Sequence, residues 1–286
     1  MDNTPIFHIA FYRFAAVEAP DALAASLRLL TTDLLGSILV ACEGINGVLA
    51  GTAAALARFE QAVTCPSYSD GAFVGMTFKR STCTTAPFAR MKVHVKQEIV
   101  ALGEAGVTGL AVPAGPGTPA ASHATCQVGG TVSPQQWRDL LADDTVVVLD
   151  NRNSFEYRLG HFRSAIDPEV ANFRDFSAYI AANAPAWQAA GKRVAMYCTG
   201  GIRCEKTSAW MEDFGIDVFQ LEGGILNYFQ QMPDAQQDWE GECFVFDNRI
   251  ALDTRLQETA TTAEDVYVAP EDAWRLARAR RLDAAR

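Results

Sequence analysis

The sequence predicts two successive domains of different architecture: an α+β domain, then an α/β domain with a parallel sheet. The 286 residues exceed the usual size of one domain. An uncharged stretch rich in proline and glycine, residues 113–122, predicts a linker. Short strands and helices precede it, whereas continuous apolar strands, each followed by a helix, come after it. The expected domains are therefore 1–112 and 123–245, with a C-terminal extension over 246–286.

The first domain is predicted to contain five strands and two helices. Pro20 begins the first helix, where its missing N–H group costs nothing, and Thr52 caps the second. Residues 43–46 (EGIN) are expected to form a turn between two strands. The predicted strands span 6–14, 37–42, 47–51, 73–78 and 91–100, and the helices span 20–35 and 52–63. This order, β-α-β-β-α-β-β, is typical of a ferredoxin-like or acylphosphatase-like α+β sandwich.

The second domain is predicted to alternate helices with buried strands. Helices are expected over 133–143, 172–184 and 204–214, the second of them stopped by Pro185. Strands are expected over 145–150, 193–198 and 217–221. Because these strands are apolar throughout, they predict a parallel sheet covered on both faces, with a ligand site at the carboxyl ends of the strands. The extension contains one predicted helix, 271–282, that is rich in arginine.

The composition excludes several classes of protein. With 49% hydrophobic and 20% charged residues, the chain is an ordinary globular sequence. It contains neither an apolar run of about 18 residues nor a basic, then apolar, leader, so we expect a cytoplasmic protein with no membrane partner. The seven cysteines are scattered without a CxxC pair, and there are only four histidines. We therefore expect no metal site and no disulfide framework.

The net charge of −10 is unevenly distributed. Segments 1–112, 113–245 and 246–286 carry −1, −8 and −1, so the acidity belongs to the middle of the chain. No acidic residue lies between Asp70 and Glu98, yet five cations do: Lys79, Arg80, Arg90, Lys92 and Lys96. Placed on and between adjacent strands, they would form a patch that binds RNA phosphates, with Phe78 and Phe88 as stacking platforms. The alternative is a solvated basic face.

The strongest chemical motif is Cys198 followed by two glycines and an arginine. Cys198 ends a predicted buried strand, and a helix begins a few residues later. Backbone N–H groups at a helix N-terminus and a nearby arginine both favour an anion, so Cys198 should be a thiolate. The predicted cradle consists of Thr199, Gly200, Gly201, Ile202, Arg203 and Cys204. A buried structural cysteine is the alternative, and Cys204 is either a resolving thiol or merely the start of the helix.

Four motifs in residues 123–245 together resemble the rhodanese family. They are residues 148–152 (VLDNR), Glu156-Tyr157 with Gly160-His161, the Cys198 loop, and residues 221–224 (LEGG). The resemblance implies that Asp150 and Arg152 lie beneath the active loop, although a strand-end ion pair would explain them equally well. Arg203 follows Cys198 by five positions, one residue closer than in tyrosine-phosphatase-like enzymes, which disfavours phosphatase activity.

Further motifs resemble the tRNA uridine hydroxylase family. These are residues 43–46 (EGIN), 90–93 (RMKV) and 242–247 (ECFVFD). The resemblance implies formation of 5-hydroxyuridine at the wobble position of tRNA, with molecular oxygen as co-substrate and Cys198 required. It also suggests that Glu43 and Asn46 face the active site and that the anticodon stem-loop is the partner.

Other functions remain open at this stage. A persulfide or thiosulfate sulfurtransferase with a protein-docking first domain is the second candidate, and a non-enzymatic RNA-binding protein is the third. No motif for binding flavin, iron or nicotinamide is present, and nothing predicts the oligomeric state. In place of the cysteine-rich tail of many relatives, this chain has a tail rich in arginine.

Overall fold

The computed structural model describes residues 6–83, 87–110 and 130–283. They fall into two compact units. The first unit holds the described residues of Met1–Ala101 and Gly241–Arg286 with the short segment Arg158–Gly160, and the second holds those of Leu102–Tyr157 and His161–Glu240. The predicted linker, 113–122, lies outside the described residues, so the domain boundaries stay predictions.

The first unit is built on a five-stranded sheet with two helices on one face. Its elements are β1 (Ile6–Phe14), α1 (Pro20–Leu30), β2 (Leu35–Ala41), β3 (Gly44–Gly51), α2 (Ala53–Val63), β4 (Lys79–Cys83) and β5 (Met91–Val95). The strand order is β4-β1-β3-β2-β5. All neighbours are antiparallel except β5, which runs parallel to β2. Alternate strand residues pack against the apolar stripes of α1 and α2. The predicted α+β fold is confirmed.

Several local predictions for this unit are wrong. The first helix ends at Leu30 and the last strand at Val95, both five residues before the predicted ends. Residues 73–78 form no strand: Gly71 and Gly75 adopt left-handed φ angles of 75°, a turn covers 72–75, and β4 begins only at Lys79. Residues 43–46 do not form a four-residue turn, since β3 begins at Gly44, whose φ is 139°. Asn46 is therefore a strand residue.

The second unit is an α/β layer structure around a parallel sheet. Its elements are β6 (Gly130–Val132), α3 (Pro134–Leu141), β7 (Val146–Asp150), α4 (Ser154–Leu159), β8 (Gly160–Phe162), α5 (Phe176–Ala189), β9 (Arg193–Tyr197), α6 (Ile202–Glu212), β10 (Val218–Leu221), α7 (Gly224–Gln231) and β11 (Trp239–Gly241). Strands β6, β10, β9 and β7 follow one another in the sheet and are all parallel, as predicted. Strands β8 and β11 pair separately. The carboxyl ends of β7 and β9 are neighbours, and the site lies there.

Helix α5 continues through Pro185, which the sequence predicts to be its end. A proline removes the hydrogen bond to the carbonyl group four residues earlier, here that of Ala181. Both residues are exposed, so water can reach the carbonyl group that is left over. The cost to the helix is therefore lower than in a buried turn.

The C-terminal segment adds β12 (Cys243–Phe244), β13 (Ala251–Leu252), α8 (Ala263–Val266) and α9 (Ala273–Asp283) to the first unit. Arg249 fastens it to the sheet: one guanidinium nitrogen donates to Ser81 at 2.9 Å, and another pairs with Asp247 at 2.6 Å. Asp247 also lies 3.5 Å from His8 on β1. Across the described part of the chain, no helix combines the length and apolar character that a membrane span requires.

Two leucines of α1 test the packing of the first unit. Leu27 is fully buried in the core, whereas Leu29 is 77% exposed. Leu27→Ala should lower the free energy of unfolding by about 2–5 kcal/mol, because it leaves a cavity. Leu29→Ala, the matched control, should change it by less than about 0.5 kcal/mol. Urea unfolding of the full chain measures both, and equal effects would contradict the packing described.

Candidate active site

Cys198 lies between the carboxyl end of β9 and the N-terminus of α6. Its side chain is buried, and its Sγ accepts a hydrogen bond from the Gly201 N–H group at 3.1 Å. Gly201, with φ of 98°, precedes the first residue of α6 and turns the chain back over the sulfur. Thr199, Gly200 and Ile202 are partly exposed at the rim of the same loop. The predicted cradle therefore closes around the sulfur atom, and its rim is accessible to solvent.

The loop stabilises Cys198 as a thiolate. Burial alone would raise the pKa of Cys198. A hydrogen bond from the Cys204 thiol, the positive charge of Arg203 and the backbone N–H groups of residues 203 and 204 outweigh burial, so the pKa lies well below its usual value. The pKa of Cys204 is shifted the other way, well above its usual value, by its own burial and by the neighbouring Cys198 sulfur. Cys204 thus stays protonated and donates.

The carbonyl side of the loop is held by the N-terminus of α7. The N–H groups of Ile225 and Leu226 donate to the carbonyl groups of Cys198 and Thr199 at 3.0 and 3.2 Å. Gly224 permits this approach: a Cβ atom there would lie 2.3 Å from the Cys198 carbonyl oxygen. Direct packing against the loop therefore explains Gly224, whereas Gly223 supplies the left-handed φ of 66° that precedes α7.

Arg203 does not present an uncompensated charge to the cradle. Its two terminal nitrogens donate to the two carboxylate oxygens of Glu156, each at 2.8 Å, and both side chains are buried. Burial alone would raise the pKa of Glu156. The charge and hydrogen bonds of Arg203 lower that pKa by more than burial raises it, so the net shift is downward. The Thr199 hydroxyl also lies 3.4 Å from Glu156. In the sequence, Glu156 stands out only as part of the Glu156-Tyr157 motif. Its buried ion pair with Arg203 identifies it as a residue of the site.

Asp150 and Arg152 form the strand-end ion pair that the sequence offers as one interpretation. Arg152 donates to Asp150 at 2.6 Å, and both side chains are fully buried. The Tyr197 hydroxyl donates to the same carboxylate at 2.6 Å. Because Tyr197 directly precedes Cys198, the pair fixes the end of β9 from which the active loop departs.

Asn151, between these two residues, connects β7 to the helix that follows the loop. Its side-chain amide donates to the Thr207 hydroxyl on α6 at 3.0 Å and lies 3.9 Å from the Cys204 sulfur.

The six cysteines in the described ranges are free thiols. Within these same ranges, no three histidine, cysteine, aspartate or glutamate side chains are grouped to hold a metal ion.

The five predicted RNA-binding cations do not lie on adjacent strands. Lys79 and Arg80 belong to β4, whereas Lys92 belongs to β5, with Arg90 and Lys96 beside it; these strands are the two opposite edges of the sheet. Chain order does not reveal this separation, since β1, β3 and β2 lie between the edges. Arg80 pairs with Glu60 on α2 at 2.6 Å. The prediction that the five cations form one contiguous patch on adjacent strands is therefore wrong.

The two phenylalanines predicted as stacking platforms are both used in packing. Phe78 contacts Phe11 and Phe59 in the core, with ring centroids 5.4 and 6.4 Å apart. Phe88 stacks on His8 at 5.9 Å. Neither ring is the open platform that the sequence suggests.

Glu43 and Asn46 clamp one residue of the backbone. The Glu43 carboxylate accepts the Ile99 N–H group at 2.8 Å, and the Asn46 side-chain amide donates to the Ile99 carbonyl oxygen at 2.9 Å. The two side chains thus hold the chain that leaves β5. This contact gives the EGIN motif a structural role, and its predicted orientation toward the active site stays a prediction.

The ionisation of Cys198 can be measured by thiolate absorbance at 240 nm. Because its pKa is lowered, the signal should persist as the pH falls below about 8.5, the ordinary value for cysteine. Removing the Arg203 charge should move the midpoint upward. Arg203→Met alone would leave Glu156 charged and buried, so the variant to compare is Arg203→Met with Glu156→Gln. Cys198→Ser identifies the signal, and an unshifted midpoint in the double variant would contradict the role of Arg203.

Each of the two units contains a segment that matches a known domain family. Residues 6–99 match the UPF0176 acylphosphatase-like domain family, and residues 133–231 match the rhodanese-like domain family. A protein named tRNA uridine(34) hydroxylase from Deinococcus radiodurans is 42% identical over 87% of this chain and 76% of its own length. Proteins of the same name from Synechococcus elongatus and Brucella anthropi are 44% and 39% identical over 87% and 91% of this chain, and 86% and 79% of their own lengths. This chain therefore belongs to the tRNA uridine(34) hydroxylase family.

Proposed function

We propose that this protein hydroxylates C5 of the wobble uridine in the anticodon loop of tRNA. The observation that carries the proposal is the name shared by relatives 39–44% identical over 87–91% of the chain. The stabilised thiolate of Cys198 supports it, because hydroxylation of a pyrimidine ring needs a reactive group that can approach C5 or C6. The free cysteines of the described ranges fit a reducing cytoplasm, where we place the reaction.

The reaction replaces the C5–H bond by a C5–O–H group, which is a two-electron oxidation of the ring. Family membership implies molecular oxygen as the source of the added atom. Its second atom would leave as water, which takes two protons and two electrons from a cellular reductant. The target base must leave the stacked anticodon loop to reach a buried sulfur, and single-stranded loops allow this at low cost. The partly exposed rim, Thr199, Gly200 and Ile202, is where the base would approach.

Cys198 has two chemical roles that its surroundings support. As a thiolate, it would add to the ring as a nucleophile, making C5 electron-rich toward an oxidant. Alternatively, molecular oxygen and the reductant would first convert the sulfur, or a persulfide on it, to an S–OH group. Its oxygen atom would pass to C5 while the sulfur returns to its reduced form, whose negative charge the N–H groups of the loop would stabilise. Both roles require the sulfur in the cradle, so both predict loss of product without it.

Sulfur transfer is the second candidate function, favoured by the same cradle. A persulfide on Cys198 would place its terminal sulfur anion toward the N–H groups at the start of α6. Sulfur transfer would proceed without RNA, so a requirement for tRNA distinguishes hydroxylation from it.

The proposal is tested by nucleoside mass spectrometry of tRNA from cells in which this chain is the only hydroxylase of its kind. Cys198→Ala should reduce 5-hydroxyuridine at least 100-fold, to background, because the reacting sulfur is gone. Cys65→Ala is the matched control: Cys65 is exposed and hydrogen bonds to Ser67 lower the pKa of its thiol, but it lies outside the cradle. Undiminished product in the Cys198 variant, or equal loss in the control, would overturn the assignment.

A further inference from the structure

One face of the N-terminal sheet gathers groups suited to binding single-stranded RNA. Helices α1 and α2 pack on residues such as Ile9, Ile38 and Leu49, which share one face. Successive strand residues point to opposite faces, so their sequence neighbours lie on the other face. We name this second surface the opposite face.

The strand register aligns the residues of the opposite face in two rows across the sheet. One row runs from edge to edge as Lys79, Ala10, Val48, Ser37 and Lys92. The next row contains Tyr12, Asn46, Leu39 and His94. Lys79 and Lys92 thus belong to one surface although they lie on opposite edge strands. Arg80 is directed to the helix side, where it pairs with Glu60.

These two rows are partly accessible to solvent, whereas the adjoining row is covered. His94 is exposed, and the other eight residues of the two rows are half-buried. In the adjoining row, His8 is buried beneath Phe88 and beside Asp247. The C-terminal segment therefore closes one end of the opposite face, and the chain at Ile99 contacts Asn46 in the second row, so the row from Lys79 to Lys92 stays partly accessible.

The chemistry of the open rows matches RNA. A lysine stands at each edge, about 19 Å apart over four strand spacings, and neither row contains a carboxylate. Between the lysines lie the small side chains of Ala10, Val48 and Ser37. The next row adds the Tyr12 ring, which meets Phe14 edge-on at 6.0 Å, whereas the Asn46 amide already donates to Ile99. Ammonium groups bind phosphates, while an aromatic ring on a sheet can stack an unstacked base. A protein partner would not require cations at both edges and an acid-free surface between them.

We propose that the opposite face binds the single-stranded part of the tRNA substrate, with Lys79 and Lys92 on phosphates and Tyr12 stacked on a base. This inference rests on the proposed function for the identity of the RNA. It also assigns different positions to sequence neighbours: Lys79 contacts RNA, and Arg80 faces away from it.

Fluorescence anisotropy of the full chain with a labelled anticodon stem-loop, measured over a range of salt concentrations, tests the surface. Lys79→Ala and Lys92→Ala should each weaken binding and make the negative slope of log K against log salt shallower by about 0.7. Arg80→Ala should have a smaller effect than Lys79→Ala. Arg58→Ala is the matched control, because Arg58 on α2 pairs with Asp33 and should leave the slope unchanged.

A second series tests the stacking contact. Tyr12→Ala should raise the Kd at least about fivefold, the equivalent of roughly 1 kcal/mol for one stacked base. Tyr12→Phe, which keeps the ring, should bind within about twofold of the wild type. A structural effect of losing the hydroxyl would instead weaken both variants alike.

The outcomes separate this surface from the proposed function. If the wild type binds the stem-loop and forms 5-hydroxyuridine, but Lys79→Ala with Lys92→Ala changes neither the slope nor the KM, the opposite face is wrong and the function stands. Equal effects of Lys79→Ala and Arg58→Ala would also overturn it. If the wild type makes no 5-hydroxyuridine and does not bind tRNA, the proposed function fails, and this surface fails with it.

Discussion

The second unit depends on one physical constraint, the burial of a negatively charged sulfur at the start of α6. A charge removed from water costs several kcal/mol unless dipoles or counter-charges replace the solvent. Here the Gly201 N–H group at 3.1 Å, other backbone N–H groups and the Cys204 thiol take the place of water. They converge only because β9 ends and α6 begins within five residues of each other.

The charges around the sulfur are balanced in pairs. Arg203 would bring a second uncompensated charge into the interior, and Glu156 neutralises it through two hydrogen bonds of 2.8 Å. Asp150 and Arg152 neutralise each other beneath the end of β9. The excess charge left in the site is that of the thiolate, which the helix N-terminus favours. The Arg203–Glu156 pair joins residues 47 positions apart, and Asp150 reaches β9 by accepting the Tyr197 hydroxyl, so the same contacts maintain the electrostatic balance and the position of the loop.

Local sequence patterns predict most of the elements and the loop, but they fail for residues 73–78, which form no strand, and for the tertiary partners of the elements. The cysteine, the glycines and the start of α6 lie within seven residues, so short-range spacing predicts their geometry. Glu156 lies 47 residues from Arg203, and nothing in the intervening sequence indicates that they meet. The order of strands in the first sheet is equally non-local, so closeness of cations along the sequence does not predict that their strands are neighbours. Pro185 does not end α5 because its turn is exposed and water can reach the carbonyl group that loses its hydrogen bond.

The most direct measurement of whether loop geometry controls the reaction is the rate of 5-hydroxyuridine formation by Gly224→Ala. This variant keeps every reactive side chain, but its new methyl group would meet the Cys198 carbonyl oxygen at 2.3 Å. Gly191→Ala is the matched control, since Gly191 also has a positive φ, of 61°, yet a methyl group there would meet no atom within 4 Å. A folded Gly224→Ala protein should lose at least about 100-fold in rate, with a raised Cys198 pKa, while Gly191→Ala loses much less. A Gly224→Ala rate within about twofold of the wild type would contradict the dependence of the chemistry on this loop.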